Sequence, residues 1–121
     1  MRSVYAIRGA TTVENNMEDE ILEATTRLLL EIKDRNRLKK DEIISVFLTM
    51  TPDLNATFPA EAARNLGWDH IPLLCSSEIG VPGALAKCIR ILIHLQRQGE
   101  VEIRHVYLKR AVSLRPDWVE E

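Results

Sequence analysis

Apolar residues in this chain fall into short runs separated by charged, Gly and Pro clusters, and the period of the runs changes along the chain. Val4-Tyr5-Ala6-Ile7 reads as a first strand, giving way at Arg8-Gly9-Ala10-Thr11-Thr12. Gly9 permits a backbone bend or a close approach, and Arg8 falls near a strand end. From Asn16 the period lengthens: Ile21, Leu22, Thr25, Leu28, Leu29 and Ile32 recur at helical spacing and predict one core-facing stripe. Asn16 is a candidate cap, and Met17-Glu18-Asp19-Glu20 makes an acidic first turn suited to the positive end of a helix dipole. The helix is expected to fade over Lys33-Asp34-Arg35-Asn36, with Lys39-Lys40-Asp41 as a polar connection.

Ile43-Ile44-Ser45-Val46-Phe47-Leu48-Thr49-Met50 is nearly continuously apolar and predicts a strand buried on both faces. It ends in Thr51-Pro52-Asp53-Leu54-Asn55, which has loop chemistry. Phe58 to Gly67 reads as a short helix, with Pro59 in its first turn and Gly67 at its end. Ile71-Pro72-Leu73-Leu74-Cys75 is a third strand, and Pro72 favours a sheet edge or a strand start. Strand, helix and strand in this order suggest a parallel crossover. Ser76-Ser77-Glu78-Ile79-Gly80-Val81-Pro82-Gly83 is a loop of small residues in which Glu78 on its own reads as a solvated carboxylate.

The most apolar run is Lys87-Cys88-Ile89-Arg90-Ile91-Leu92-Ile93-His94-Leu95. With period two, Ile89, Ile91, Ile93 and Leu95 share one face, and Arg90, Leu92 and His94 the other. Leu85, Cys88, Ile89, Leu92 and Ile93 also fit a helix; the isoleucines and the break at Gly83 favour a strand. Arg90 is the anomaly. A guanidinium keeps its charge in a poor solvent, and arginine is rarely buried without a partner. It meets an internal carboxylate, reaches solvent past its neighbours, or serves an anionic ligand. After a turn at Arg97-Gln98-Gly99-Glu100 a last strand, Ile103 to Leu108, puts Ile103, His105 and Tyr107 on one face. The segment from about 111 to 121 reads as a tail with a frayed tip at Val119-Glu120-Glu121.

Composition narrows the function more than the fold. The 121 residues suit one domain spanning 1–121, and 45% of them are hydrophobic, enough for a core. A net charge of -2 argues against general nucleic-acid binding, although it leaves room for a small cationic pocket. No apolar run reaches the roughly 18 residues of a membrane span, and the N-terminus lacks the apolar core of a signal peptide, so a cytoplasmic protein is expected. Cys75 and Cys88 are not spaced as a CxxC pair and are expected to be free thiols. His70, His94 and His105 make no metal-ligand pattern with them, and no nucleophile or phosphate-loop motif is present. What remains is a set of arginines on strands and at element ends, Arg8, Arg64, Arg90 and Arg115, with Tyr107. Such groups bind a carboxylate-rich small molecule by charge-assisted hydrogen bonds.

Six short motifs occur in order: Ile7-Arg8-Gly9-Ala10-Thr11-Thr12-Val13-Glu14, Thr51-Pro52-Asp53-Leu54, Phe58-Pro59-Ala60, Cys88-Ile89-Arg90, Arg104-His105-Val106-Tyr107-Leu108 and Leu114-Arg115-Pro116-Asp117. Together they resemble the monofunctional chorismate mutases of the AroH class, the Bacillus type. Each is weak alone; their order and spacing across nearly the whole chain are specific. The resemblance implies a mixed α/β or α+β fold, with a mixed sheet packed by helices, a homotrimer with a barrel-like core, and active sites at the subunit clefts. It also favours the strand for Lys87 to Leu95. The implied reaction is the Claisen rearrangement of chorismate to prephenate, which needs no cofactor, metal, nucleophile or proton transfer.

Carried over by position, the resemblance assigns Arg90 to the ether oxygen and a carboxylate, and Arg8 and Tyr107 to carboxylate binding. Cys75 and Glu78 match the residues holding the ring hydroxyl, within a lining segment Leu74-Cys75-Ser76-Ser77-Glu78. Phe58, Ala60, Leu73 and Leu114 match apolar wall positions, and Arg64 and Arg115 peripheral arginines near the mouth. Glu61 stands where some members carry lysine and Leu74 where some carry threonine, which bears on affinity more than on reaction type. Two other functions stay open: a trimeric small-anion-binding protein without catalysis, and an imine-hydrolysing enzyme on a related trimeric fold.

Overall fold

The apolar run that opens at Cys88 forms the middle of a mixed sheet. In the computed structural model, which describes residues 2–99 and 101–116, this run is β4 (Cys88–Gln98). Antiparallel to it lie β1 (Arg2–Thr12) on one side and β2 (Ile43–Met50) on the other. β3 (Leu73–Ser77) adds in parallel outside β2, and β5 (Val106–Tyr107) in parallel outside β1, giving the order β3-β2-β4-β1-β5. The expected parallel crossover is the link from β2 through α2 (Ala60–Asn65) to β3.

Strand alternation decides which side of this sheet becomes core. Ile91, Ile93 and Leu95 of β4, Ile7 of β1 and Val46 and Leu48 of β2 point to one face. There they meet Leu28, Leu29 and Ile32 of α1 (Glu18–Asn36) and Ala62 and Ala63 of α2. Ile89 continues the row into an adjoining cluster with Val13, Ile21, Ala24 and Leu54. The predicted stripe of α1 is the stripe that is buried, apart from Leu22, which is half-buried. Gly9 lies in this layer opposite Ile91 and Val106. A Cβ at Gly9 would stand 2.9 Å from Ile32 Cδ1 and 3.0 Å from the Val106 carbonyl oxygen. The glycine therefore serves close approach and not a bend.

Several boundaries move for physical reasons. β1 runs on through Gly9 to Thr12 because its ladder with β4 continues from Arg2↔Gln98 to Thr12↔Cys88, so Arg8 is a mid-strand residue. Asn16 does not cap α1; Met17 holds that position. The Asn16 amide instead ties down the loop after β2, its oxygen accepting from the Asn55 and Ala56 N–H groups and its nitrogen donating to Asn55 Oδ1. β2 is buried on one face only: Val46 and Leu48 are covered, and Ile44 and Phe47 are exposed. The second helix is shorter than Phe58 to Gly67, with Pro59 as its cap. β3 starts after Pro72, which has no N–H for a ladder and gives only its carbonyl, to Val46 N–H; Ser76 and Ser77 thus belong to the strand. The last strand contracts to Val106–Tyr107, since the backbone of Arg104 is committed to the Asn36 side chain on α1.

After β5 a 3-10 helix, Lys109–Leu114, packs back on β1 with Ala111 fully buried. The predicted frayed tip at Val119 to Glu121 lies outside the described residues. Among the described residues, no helix is long and apolar enough to cross a membrane.

Candidate active site

The second face of the sheet is not covered by α1 or α2, and β4 directs Arg90, Leu92 and His94 toward it. Pairing registers place side chains there in rows. One row crosses all five strands as Tyr107, Ala10, Arg90, Thr49 and Ser76. The next runs Arg8, Leu92, Phe47 and Leu74. Ala10 is buried between Tyr107 and Arg90, packed with Tyr107, Cys88 and Ala111. Arg8, Phe47, Thr49, Arg90 and Leu92 line a shallow cavity of about 240 Å3 on this face.

Arg90 is the centre of the arrangement. Its Nε lies 3.2 Å from Glu78 Oε2, within ion-pair reach. The N–H is nonetheless not aimed at that oxygen, and among the described residues Arg90 Nε is the only buried side-chain N or O atom without a hydrogen bond. Glu78 sits in the turn after β3, where its N–H bonds to the Met50 carbonyl at 2.9 Å. Its Oε2 accepts the hydroxyl of Thr49. The carboxylate is thus held by β2, and the guanidinium keeps a buried donor uncommitted. An unmet buried donor costs about 1–3 kcal/mol and more when charged, so this position favours an acceptor brought from outside.

The remaining groups on this face come from β1, β5 and the 3-10 helix. Tyr107 is 5% exposed and packs with Ala10, Cys88 and Ala111, with Leu85 and Leu114 alongside. Burial pushes the Cys88 thiol above its usual pKa, against the opposing field of Arg90, so it stays protonated and inert. His105 precedes β5, and its Nδ1 accepts the backbone N–H of Arg8 at 3.0 Å. Burial, then the charges of Arg8 and Arg115, hold this imidazole below its usual pKa.

Of the predicted site residues, Arg8, Glu78, Arg90, Tyr107, Leu114 and Arg115 gather on this side of one chain, with Leu74 and Ser76 on the same sheet face. The others do not join them. Leu73, Cys75 and Ser77 point to the helix side, in register with Val46, Leu48 and Met50, and Leu73 and Cys75 pack against the core. Ala60 is buried in the first turn of α2, and Arg64 is exposed on it. Phe58, 70% exposed, borders a second cavity of about 380 Å3 with Pro59, Cys75, Ser76 and Ser77. A larger concavity, about 540 Å3 between α1 and Lys109, contains none of these residues. Thr49 lies outside the motifs, and His105 lies within one but was given no role by them. The signal for Thr49 was its alternation with Phe47, hidden by reading β2 as buried on both faces.

Among the described residues no three His, Cys, Asp or Glu side chains are grouped to hold a metal ion.

Comparison with known proteins places this chain in a family. The model of the family chorismate mutase type I matches residues 4–118. Chorismate mutase AroH of Bacillus subtilis (strain 168) is 47% identical over 116 residues, covering 94% of this chain and 91% of that protein. Chorismate mutase AroH of Thermus thermophilus is 44% identical over 116 residues, covering 94% and 95%. A solved chorismate mutase from Clostridium thermocellum superposes with a TM-score of 0.86 at 50% identity, covering 90% of this chain and 98% of that one. With a family match over nearly the full length, two relatives well above 30% identity and the same fold, the chain belongs to the type I chorismate mutase family.

Proposed function

We infer that this chain is a chorismate mutase, an isomerase that converts chorismate to prephenate in the biosynthesis of phenylalanine and tyrosine. The observation that carries this is the Arg90 guanidinium, whose buried Nε has no hydrogen bond beside a carboxylate already bonded by Thr49. In a Claisen rearrangement one C–O bond breaks as one C–C bond forms, within one molecule and without a proton changing hands. The protein has two tasks: to hold a flexible dianion in its compact conformer, and to stabilise the negative charge that builds on the ether oxygen. Arg90 supplies the opposing positive charge and also contacts a carboxylate. Arg8 and Tyr107 bind a carboxylate, and Glu78 accepts the ring hydroxyl together with a contact from Cys75. A cation fixed on a strand needs little reorganisation during the step, and the apolar side chains of Leu92 and Phe47 beside it lower the local dielectric.

The functional assembly we propose is a homotrimer with each site completed by a second subunit. Two observations support it. The apolar row Leu92, Phe47 and Leu74 lies on an uncovered sheet face, with Phe47 38% and Leu74 59% exposed. The cationic residues and the group of Phe58, Ala60, Arg64, Leu73 and Cys75 also sit on different sides of one chain, so both groups reach one substrate most simply across an interface. The same reading gives the enzyme a cytoplasmic location, one domain over 1–121, and no cofactor in the reaction.

The test is the loss of chorismate absorbance with prephenate appearing, run beside light scattering. Turnover by a trimer is expected. Tight binding of a bicyclic diacid mimic without turnover would replace the mutase by an anion-binding protein, and a fully active monomer would refute the shared site.

A further inference from the structure

β5 is only two residues long, yet it carries Tyr107. Its ladder with β1 consists of Gly9↔Val106 and Ala10↔Tyr107, followed by Leu108 N–H donating to the Ala10 carbonyl at 2.9 Å. The other end begins too late to offer the Arg8 N–H a backbone acceptor. A strand amide without an acceptor is costly, and here the Nδ1 of His105 fills the place at 3.0 Å. The approach to His105 is fixed as well. The Asn36 amide, 5% exposed at the end of α1, accepts from Arg104 N–H at 2.8 Å and donates to the Arg104 carbonyl at 2.9 Å. The imidazole is thus held by α1 through its neighbour and in turn fastens β5 to β1 at the level of Arg8.

We propose that His105 is a positioning residue for the reaction: its neutral ring, accepting at Nδ1, holds the Arg8 backbone and the start of β5, and so sets the spacing between Arg8 and Tyr107. This rests on the reading of Arg8 and Tyr107 as the carboxylate pair. A ring nitrogen accepts only when unprotonated, so Nε2 carries the proton. The charged groups acting on the ring among the described residues are Arg8 of β1 and Arg115 beyond the 3-10 helix, both cations that oppose protonation together with burial. Protonation turns the acceptor into a donor facing another donor and adds a positive charge beside Arg8. Arg8 and Tyr107 then lose their common register while Arg90, on β4, keeps its place. The effect falls on substrate affinity more than on the chemical step.

The experiment compares kcat and KM from pH 5 to 8.5 for the wild type, His105→Asn and His105→Leu, with 15N NMR of the wild-type imidazole. The amide oxygen of asparagine can accept at the Nδ1 position and does not titrate. Wild-type kcat/KM is expected to be level at neutral pH and above, then to fall below about pH 6.5 through a rise in KM. His105→Asn is expected to keep near-wild-type kcat/KM at pH 7.5 and to lose the acid-side fall. His105→Leu is expected to raise KM on the order of tenfold across the range. An acid-side fall retained in His105→Asn, wild-type KM in folded His105→Leu, or a proton on Nδ1 of the neutral ring would each overturn the proposal. Should the wild type fail to rearrange chorismate, the functional reading falls, and the NMR spectrum still decides the His105 hydrogen bond.

Discussion

Replacing Gly9 by alanine tests the link between backbone packing and the site. The position is extended backbone, so alanine meets no conformational barrier there and would by itself stabilise the protein by about 0.4–1 kcal/mol through the unfolded chain. Against this stands the packing. The new methyl would lie 2.9 Å from Ile32 Cδ1, 3.0 Å from Val106 O and 3.1 Å from Ile91 Cγ2. The first contact is with the end of a side chain, but Ile32 is fully buried and has little room to turn aside. The second is with backbone and yields only if β5 moves. Overpacking of this kind costs about 1–3 kcal/mol, so the net effect is a loss of about 1–2 kcal/mol, or a fall in Tm of roughly 4–8 °C for a chain of this size. β5 carries Tyr107 next to the displaced carbonyl, so KM for chorismate should rise as well. Thermal and urea unfolding at one protein concentration, with steady-state kinetics, measure both. Stability within about 0.5 kcal/mol of wild type, with unchanged KM, would refute the reasoning.

Thr49→Val removes the hydroxyl that holds Glu78; kcat/KM is expected to fall on the order of tenfold and Thr49→Ser to restore most of it, whereas wild-type kinetics in Thr49→Val would show that Glu78 needs no such support. Glu42→Gln weakens the two bonds that Arg97 makes to Glu42, at 2.8 and 2.9 Å with both side chains mostly buried, and should cost about 2 kcal/mol by urea unfolding at neutral pH. Arg97 holds the Glu42 carboxyl below its usual value of 4.5, so this stability is present above about pH 4.5 and fades as the pH falls through the lowered value. The gap between wild type and Glu42→Gln should close in acid, and a constant gap would contradict it. The turnover number itself should stay level between about pH 6 and 8, because no group gains or loses a proton in the step; a bell-shaped kcat profile there would point to acid-base chemistry instead.

Much of this was legible in the chain because period and punctuation agree with tertiary structure where a segment has one buried face. The isoleucines of β4 and the stripe of α1 predict their own burial. β2 was misjudged because Phe47 and Ile44, apolar on the uncovered face, look like core in one dimension. In the proposed trimer that face meets a second subunit, which one chain's period does not reveal. The strand expected from Ile103 to Leu108 shrank because the Asn36 and His105 side chains take the place of a backbone ladder, and no sequence period encodes a side chain filling a strand position. Arg90 stood out as a charge in an apolar run, but its partner did not. Glu78 follows a different strand, and only the pairing of β2 with both β3 and β4 brings the two together. Thr49 and His105 follow the same rule: their roles depend on register, which short motifs do not specify.

The role of Arg90 is tested most directly by the turnover number of Arg90→Ala with chorismate at saturation. Loss of a single neutral oxyanion donor lowers kcat by about 10²–10³, and loss of a cation proposed to face the ether oxygen should lower it by at least that. The expected result is a fall in kcat of roughly 10³ or more in a folded protein of unchanged oligomeric state, beyond any rise in KM. A kcat close to wild type, with only KM raised, would mean that Arg90 binds the substrate without stabilising the transition state.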